Sequence, residues 1–464
     1  MRRTARYPLK FFALLLVCGL PAAAQEHPQA PADKTPAQEH RITPEEAREL
    51  LNSVDKILKF DSEQTLLEIR RPVKRQLVDR DEVQRFIQKR LEDDEDARRL
   101  QRAEIVLKKF GLLPRDFDMR AFLIELLREQ VAGYYDPKTK TVYLLNWLEP
   151  ESQMPVMAHE LTHALQDQHV DVERWVKQGT SDKSPQASVT SDEEIGARHA
   201  VLEGQAMAVM VGYLLAPVGG TLANSPMITQ AIEQSMMQGD GSPVFDRAPL
   251  FIKRMLLFPY QYGLEFERTL LVKAGKERAF AGVLKRPPRN TREVMEPEVY
   301  LAGEQLPELP VADVAKIAGG EWEKYDVGSI GEFDVSVMAE QYASEGKAKK
   351  IAPQWRGGWY YAIRPKSGDS VALVFVSKWG TCDAAQQFEN VYADSIADRY
   401  KGSKSAGAIQ KGLAGECGPE HNALWQTAEG PVWLSRSGTT LVVVEGLENQ
   451  LAAKVKEAVL ANKR

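Results

Sequence analysis

The chain has 464 residues, of which 43% are hydrophobic and 27% charged, and a formal net charge of −5. This is ordinary globular material, enough for two or three domains, and it excludes a chain that stays unfolded for want of apolar residues. A modestly acidic protein also lacks the positive footprint of a nucleic-acid or anionic-membrane binder.

Arg2, Arg3, Arg6 and Lys10 are followed by the apolar run Phe11 to Leu20 and by Ala22-Ala23-Ala24 before Gln25. That order predicts a secretory signal peptide over residues 1–24, cleaved after Ala24, and export to the periplasm or beyond. The run is far shorter than the ~20 residues a span requires, so no integral membrane span is expected after cleavage. Residues 25–42, rich in Pro, Ala and Gln, read as a disordered linker. Thr43-Pro44-Glu45-Glu46 is a capping box with Pro at the first helical position, and it opens a helical part over 43–132. Within it Val83, Phe86, Ile87 and Leu91 recur at helical spacing.

Gly133 to Leu145 reads as strand, turn, strand, with Asp136-Pro137 opening the turn. A helix follows, for which Pro150, Pro155 and Ser152 are the start signals. It carries His159-Glu160-Leu161-Thr162-His163, an HExxH motif. Positions four apart on a helix are separated by about 400° of rotation, so both imidazoles share one face and can reach one metal ion. Glu160 points to the flank of that face, where its carboxylate can serve as a base for a water molecule instead of a ligand. The chain has seven histidines in all, which makes a chance HExxH rare.

The hairpin followed by Ala-His-Glu-Leu-Thr-His-Ala-Leu resembles the zincin metallopeptidases. The resemblance implies that strand 141–145 is a sheet edge that pairs with an extended peptide substrate. It also requires a third protein ligand. Glu203, in Ala197 to Ala206, is similar to the gluzincin glutamate on the next helix, often followed by Gly-x-Ala; Gly204 and Ala206 are small enough for that helix to approach the first closely. This helix is expected to begin near Ser191-Asp192-Glu193-Glu194. The alternative is His169, at the spacing of the metzincin HExxHxxGxxH, but Gln166 occupies the glycine position needed for the turn back to the metal. We therefore prefer Glu203 and read His169 and His199 as supporting or packing residues.

Ala206 to Ala223 is apolar, yet Gly212, Pro217, Gly219 and Gly220 and its link to a metal ligand favour a buried helix over a membrane span. Tyr260 and Tyr262 are candidates for a phenol that stabilises an oxyanion. Pro287-Pro288-Arg289-Asn290-Thr291 resembles a Pro-Pro-x-x-Thr turn of bacterial zincin-like proteins. From residue 310 the pattern changes to strands, at Trp359 to Ile363, Val371 to Val376, Ala423 to Thr427, Val432 to Ser435 and Thr440 to Glu445, with helices at Ala384 to Tyr400 and Asn449 to Ala461. Trp355 and Trp359 read either as groove lining or as core. Cys382 and Cys417 remain after signal cleavage and either pair or stay as buried thiols.

The expected fold is α+β: a mostly helical zincin-like domain with a small edge hairpin at 43–309, its catalytic core at 133–300, and then a smaller α+β domain at 310–464. The expected function is that of an exported zinc metallopeptidase. One zinc ion is held by His159, His163 and Glu203, Glu160 is the general base, and a peptide or protein is the substrate. The alternative is a catalytically silent zincin-fold protein that binds peptides or envelope partners.

Overall fold

Thr43 caps the first helix, α1 (Pro44–Thr65), as a reciprocal box: its hydroxyl accepts from the Glu46 N–H, and the Glu46 carboxylate accepts from the Thr43 N–H. Leu50, Val54, Ile57 and Leu58 of α1 face the core. In this computed structural model the described residues are 41–91, 94–130, 133–178, 184–225, 227, 231, 242–415 and 417–461. The expected signal peptide, residues 1–24, and the expected linker as far as residue 40 lie outside them.

The fold is α+β, a helical region followed by a seven-stranded sheet. The stretch 43–132 is not helical throughout. After α1 the chain forms strand β1 (Lys74–Val78), then α2 (Arg80–Leu91), α3 (Asp94–Lys109) and α4 (Met119–Gln130). Only Val78 of β1 is fully buried, so its polar sequence carries no strand alternation, and pairing with a neighbour decides its state. The hairpin is β2 (Tyr134–Asp136) and β3 (Thr141–Leu145), and the sheet order is β1-β3-β2.

The histidine helix, α5 (Pro150–Val170), begins at Pro150, two residues before the expected cap Ser152. Gln153 fixes it to the hairpin: its carboxamide oxygen accepts from the Leu145 N–H and its NH2 donates to the carbonyls of Leu145 and Leu148, each at 2.9 Å. After the short α6 (Val172–Val176), the glutamate helix α7 (Pro185–Leu215) starts six residues earlier than expected, capped by Ser184. Its acids Asp192 and Glu193 therefore cap nothing. Glu193 instead accepts from the N–H and hydroxyl of Thr291 and from Ser329, while Asp192 accepts from the Ser329 N–H. Among the described residues, Pro185–Val218 is the one helix long and apolar enough to cross a membrane, and most of that stretch is buried within the protein.

Gly204 of α7 does not face the histidine helix as expected. A Cβ on Gly204 would sit 2.2 Å from the Gly263 carbonyl oxygen, and one on Gly263 would sit 2.2 Å from the Ala200 carbonyl oxygen. Here α7 and the helix Leu250–Ala274 touch backbone to backbone. Alanine is the better helix former, yet Gly263→Ala should destabilise the protein by about 1–3 kcal/mol because two backbones must part. A urea midpoint equal to that of the parent would contradict this packing.

On the same helix Glu267 is completely buried, and neither carboxylate oxygen has a hydrogen-bond partner. Burial holds its pKa well above the ordinary 4.5. The folded protein keeps a proton that the unfolded chain releases above that value, so stability from this group is full at acid pH and declines as pH rises. Glu267→Gln should match the parent in urea denaturation near pH 4 and exceed it near pH 8, the gap growing by at most about 1.4 kcal/mol per pH unit. A variant no more stable than the parent at the higher pH would contradict it.

The large sheet is antiparallel throughout, in the order β4-β5-β6-β10-β9-β8-β7: β4 (Trp322–Ser329), β5 (Trp355–Pro365), β6 (Ala372–Trp379), β7 (Lys404–Gly415), β8 (Gly418–Thr427), β9 (Gly430–Ser437) and β10 (Thr440–Glu445). Five of these were expected; the two edge strands, β4 and β7, were not. Both faces are covered. Leu373, Phe375, Leu441 and Val443 join the large core with the helix Cys382–Arg399, whereas Val374, Val376, Val442 and Val444 pack with Val455 and Val459 of the helix Asn449–Ala461. Trp355 and Trp359 are buried, Trp355 in the large core and Trp359 against the opposite face, and neither lines a groove. Cys382 and Cys417 form a disulfide between the start of the helix Cys382–Arg399 and the start of β8.

Candidate metal centre

The histidine helix and the glutamate helix cross so that three donor atoms converge. His159 Nε2 lies 3.1 Å from Glu203 Oε2 and 3.1 Å from His163 Nε2, and His163 Nε2 lies 3.5 Å from Glu203 Oε2. Among the described residues no other set of three His, Cys, Asp or Glu side chains converges in this way. The triangle fits a zinc ion. Bonds of about 2.0–2.1 Å in a tetrahedral site put neighbouring ligand atoms roughly 3.3–3.4 Å apart, and two imidazoles with one carboxylate are a known catalytic ligand set.

Electrostatics in the cluster follow from burial and contact. Burial alone would lower the His163 pKa, but the adjacent Glu203 carboxylate carries it up to about 9. Burial would raise Glu203, and the two histidines instead hold it well below the usual carboxylate range. His199, one turn before Glu203, is carried by burial down to about 4 and stays neutral. His169 is elsewhere: its Nε2 lies 2.9 Å from the carbonyl of Glu68 at the surface. With the helix unbroken to Val170, its side chain points away from the other two histidines.

Glu160 is 1% exposed and does not join the three donor atoms. Its Oε2 accepts from the backbone N–H of Tyr135 at 2.7 Å, and its Oε1 is buried without a partner. Burial lifts its pKa above the ordinary value, against the pull of the two histidines and the Tyr135 N–H. Tyr135 is itself braced. Its hydroxyl donates to Asp167 at 2.8 Å, and Asp167 also receives Lys140 at 2.7 Å and Arg71 at 3.4 Å. Burial, then the bond to Asp167, pushes the Tyr135 phenol up, so it remains a donor.

Sequence reasoning missed this brace, although a signal was present: Asp167 continues the 159, 163 stripe by one more turn. It also misplaced the substrate edge. β3, the strand 141–145, pairs in parallel with β1 on one side and antiparallel with β2 on the other. A strand hydrogen-bonded on both sides has no edge to offer. Its polar neighbour β1 was not foreseen, which is why β3 looked terminal. The outer strand beside Glu160 is β2. Of the two candidate tyrosines, Tyr260 lies with its ring 6.3 Å from that of His159 at 27°, while Tyr262 packs against Phe258.

A family model described as a domain of unknown function (DUF8575) matches residues 323–456. That match covers the large sheet and leaves His159, His163 and Glu203 outside it. No curated protein and no solved structure matches the chain.

Proposed function

We propose that the protein is an exported zinc metallopeptidase, and the observation that carries this reading is the convergence of His159, His163 and Glu203 beside a buried Glu160. A zinc ion held by these three side chains supplies a Lewis acid that polarises a scissile carbonyl and lowers the pKa of water. Glu160 is the general base: Oε1, which has no other partner, takes a proton from the attacking water and later delivers it to the leaving amine nitrogen. The Tyr135 N–H holds the other oxygen of the same carboxylate and so aims Oε1. A peptide lying along the outer edge of β2 would place its backbone next to Glu160. The Cys382–Cys417 disulfide supports an oxidising compartment and hence export.

One observation favours the second reading, a silent zincin-fold protein that binds peptides or envelope partners. His159 and Glu160 are only 2% and 1% exposed, so a substrate must displace something to reach them. Incubation of the zinc-loaded protein with an unfolded polypeptide, followed by mass spectrometry of the products, separates the two. New amino and carboxyl termini that fail to form in the presence of a chelator are the expected result. A substrate left intact after prolonged incubation would overturn the peptidase reading.

A further inference from the structure

We infer that Gln166 and Gln205 form a hydrogen-bonded relay that fixes which ring nitrogen of His163 faces the metal, an inference that rests on the metal reading of the site. At the far end of the relay stand backbone carbonyls, which can only accept. The carbonyl oxygens of Ala279 and Phe280 lie 2.9 and 3.1 Å from one terminus of the Gln205 carboxamide. That terminus is therefore the NH2 group, and the oxygen is the other. The Gln205 oxygen lies 2.9 Å from Gln166, and the Leu202 carbonyl lies 3.0 Å from the same Gln166 terminus. Two acceptors there make that terminus the NH2 group of Gln166. Its oxygen is left to face His163 Nδ1 at 2.9 Å.

An amide oxygen can only accept, so Nδ1 of His163 carries a hydrogen in every protonation state of the ring. Nε2, which faces His159 and Glu203, is then the nitrogen whose lone pair goes to a metal. Both glutamines are completely buried, and each NH2 hydrogen and each amide oxygen is used within the relay. The orientation is thus set by the protein and not by water. The relay also joins the histidine helix, the glutamate helix and the π-helical turn Arg278–Gly282. π turns recur at functional sites, and here the turn presents the two carbonyls that orient everything upstream. Gln166, which fails as the metzincin glycine, acquires a positive role.

The test uses the full chain labelled with 15N at histidine, first free of metal, with variants Gln166→Met, Gln166→Glu and Gln205→Met. In the parent, a slowly exchanging Nδ1–H resonance from His163 is expected; it should disappear in Gln166→Met and exchange faster in Gln205→Met, where the Leu202 carbonyl alone still orients the Gln166 NH2 group. Zinc affinity, measured by competition with a chelator, should fall about 10–100-fold in Gln166→Met, the usual cost of losing a partner of a ligating histidine, and by less in Gln205→Met. Gln166→Glu keeps an acceptor for Nδ1–H and, protonated on the oxygen that faces the Leu202 and Gln205 oxygens, should retain the resonance and lose less zinc affinity than Gln166→Met. A purely structural role predicts the reverse order, because a buried carboxylate is costlier to place than a thioether. Folded methionine variants with an unchanged Nδ1–H resonance and unchanged affinity would overturn the relay. A parent protein that binds no zinc would instead sink the metal reading, and the resonance in the metal-free protein would still decide the relay.

Discussion

Glu160→Gln is expected to abolish turnover while leaving the fold and the bound zinc in place. The amide is nearly isosteric with the carboxylate, and its oxygen can still accept the Tyr135 N–H that Glu160 Oε2 accepts now. Its NH2 group then occupies the place of Oε1 and has no lone pair with which to take a proton from water. A general base contributes typically 10²–10⁴-fold, so the fall in kcat should be of that order. Because Glu160 lies outside the three donor atoms, zinc stoichiometry should stay at the parental value. Peptide hydrolysis by the variant at the parental rate would remove Glu160 from the mechanism.

Glu203→Ala is expected to lose most of its zinc, whereas His169→Ala should keep it. Glu203 supplies the only anionic donor of the triangle and contacts both histidines, at 3.1 and 3.5 Å. Without it a two-histidine site remains, one protein ligand short of the three that hold a catalytic zinc. His169 bonds the Glu68 carbonyl at the surface, so its loss touches neither the donor atoms nor their partners. Metal analysis after dialysis of both purified variants reads the difference. Zinc retained in Glu203→Ala and lost in His169→Ala would overturn the ligand assignment.

The convergence of His159, His163 and Glu203 was legible because it rests on local chemistry. Two histidines four apart on one helix must share a face, whatever surrounds them, and a glutamate followed by glycine at the right distance was enough to single out Glu203. The reason given for that glycine was wrong, however. Gly204 admits the helix Leu250–Ala274 and not the histidine helix, a contact 59 residues along the chain, between Gly204 and Gly263, that no spacing rule reveals. The brace on Glu160 was hidden for the same reason: Tyr135 and Asp167 meet only once the hairpin lies against the helix. Start signals also misled where side chains had other employment, as with Asp192 and Glu193, which look like caps but hold Thr291 and Ser329. In the large sheet, β5, β6, β9 and β10 announced themselves by β-branched and apolar runs. The edge strands β4 and β7 and the polar strand β1 did not; in β1, where only Val78 is buried, pairing with a neighbour fixes the strand.

The central claim is that a metal at His159, His163 and Glu203 makes this protein a hydrolase. The most direct measurement is a back-titration of zinc into the chelated protein, with bound metal and cleavage of an unfolded polypeptide followed in the same samples. Both should rise together and saturate at one ion per chain, and Glu160→Gln should show the same binding curve with no cleavage. Zinc bound at one per chain with no cleavage by the parent protein would contradict it and leave a metal-bearing peptide-binding protein in its place.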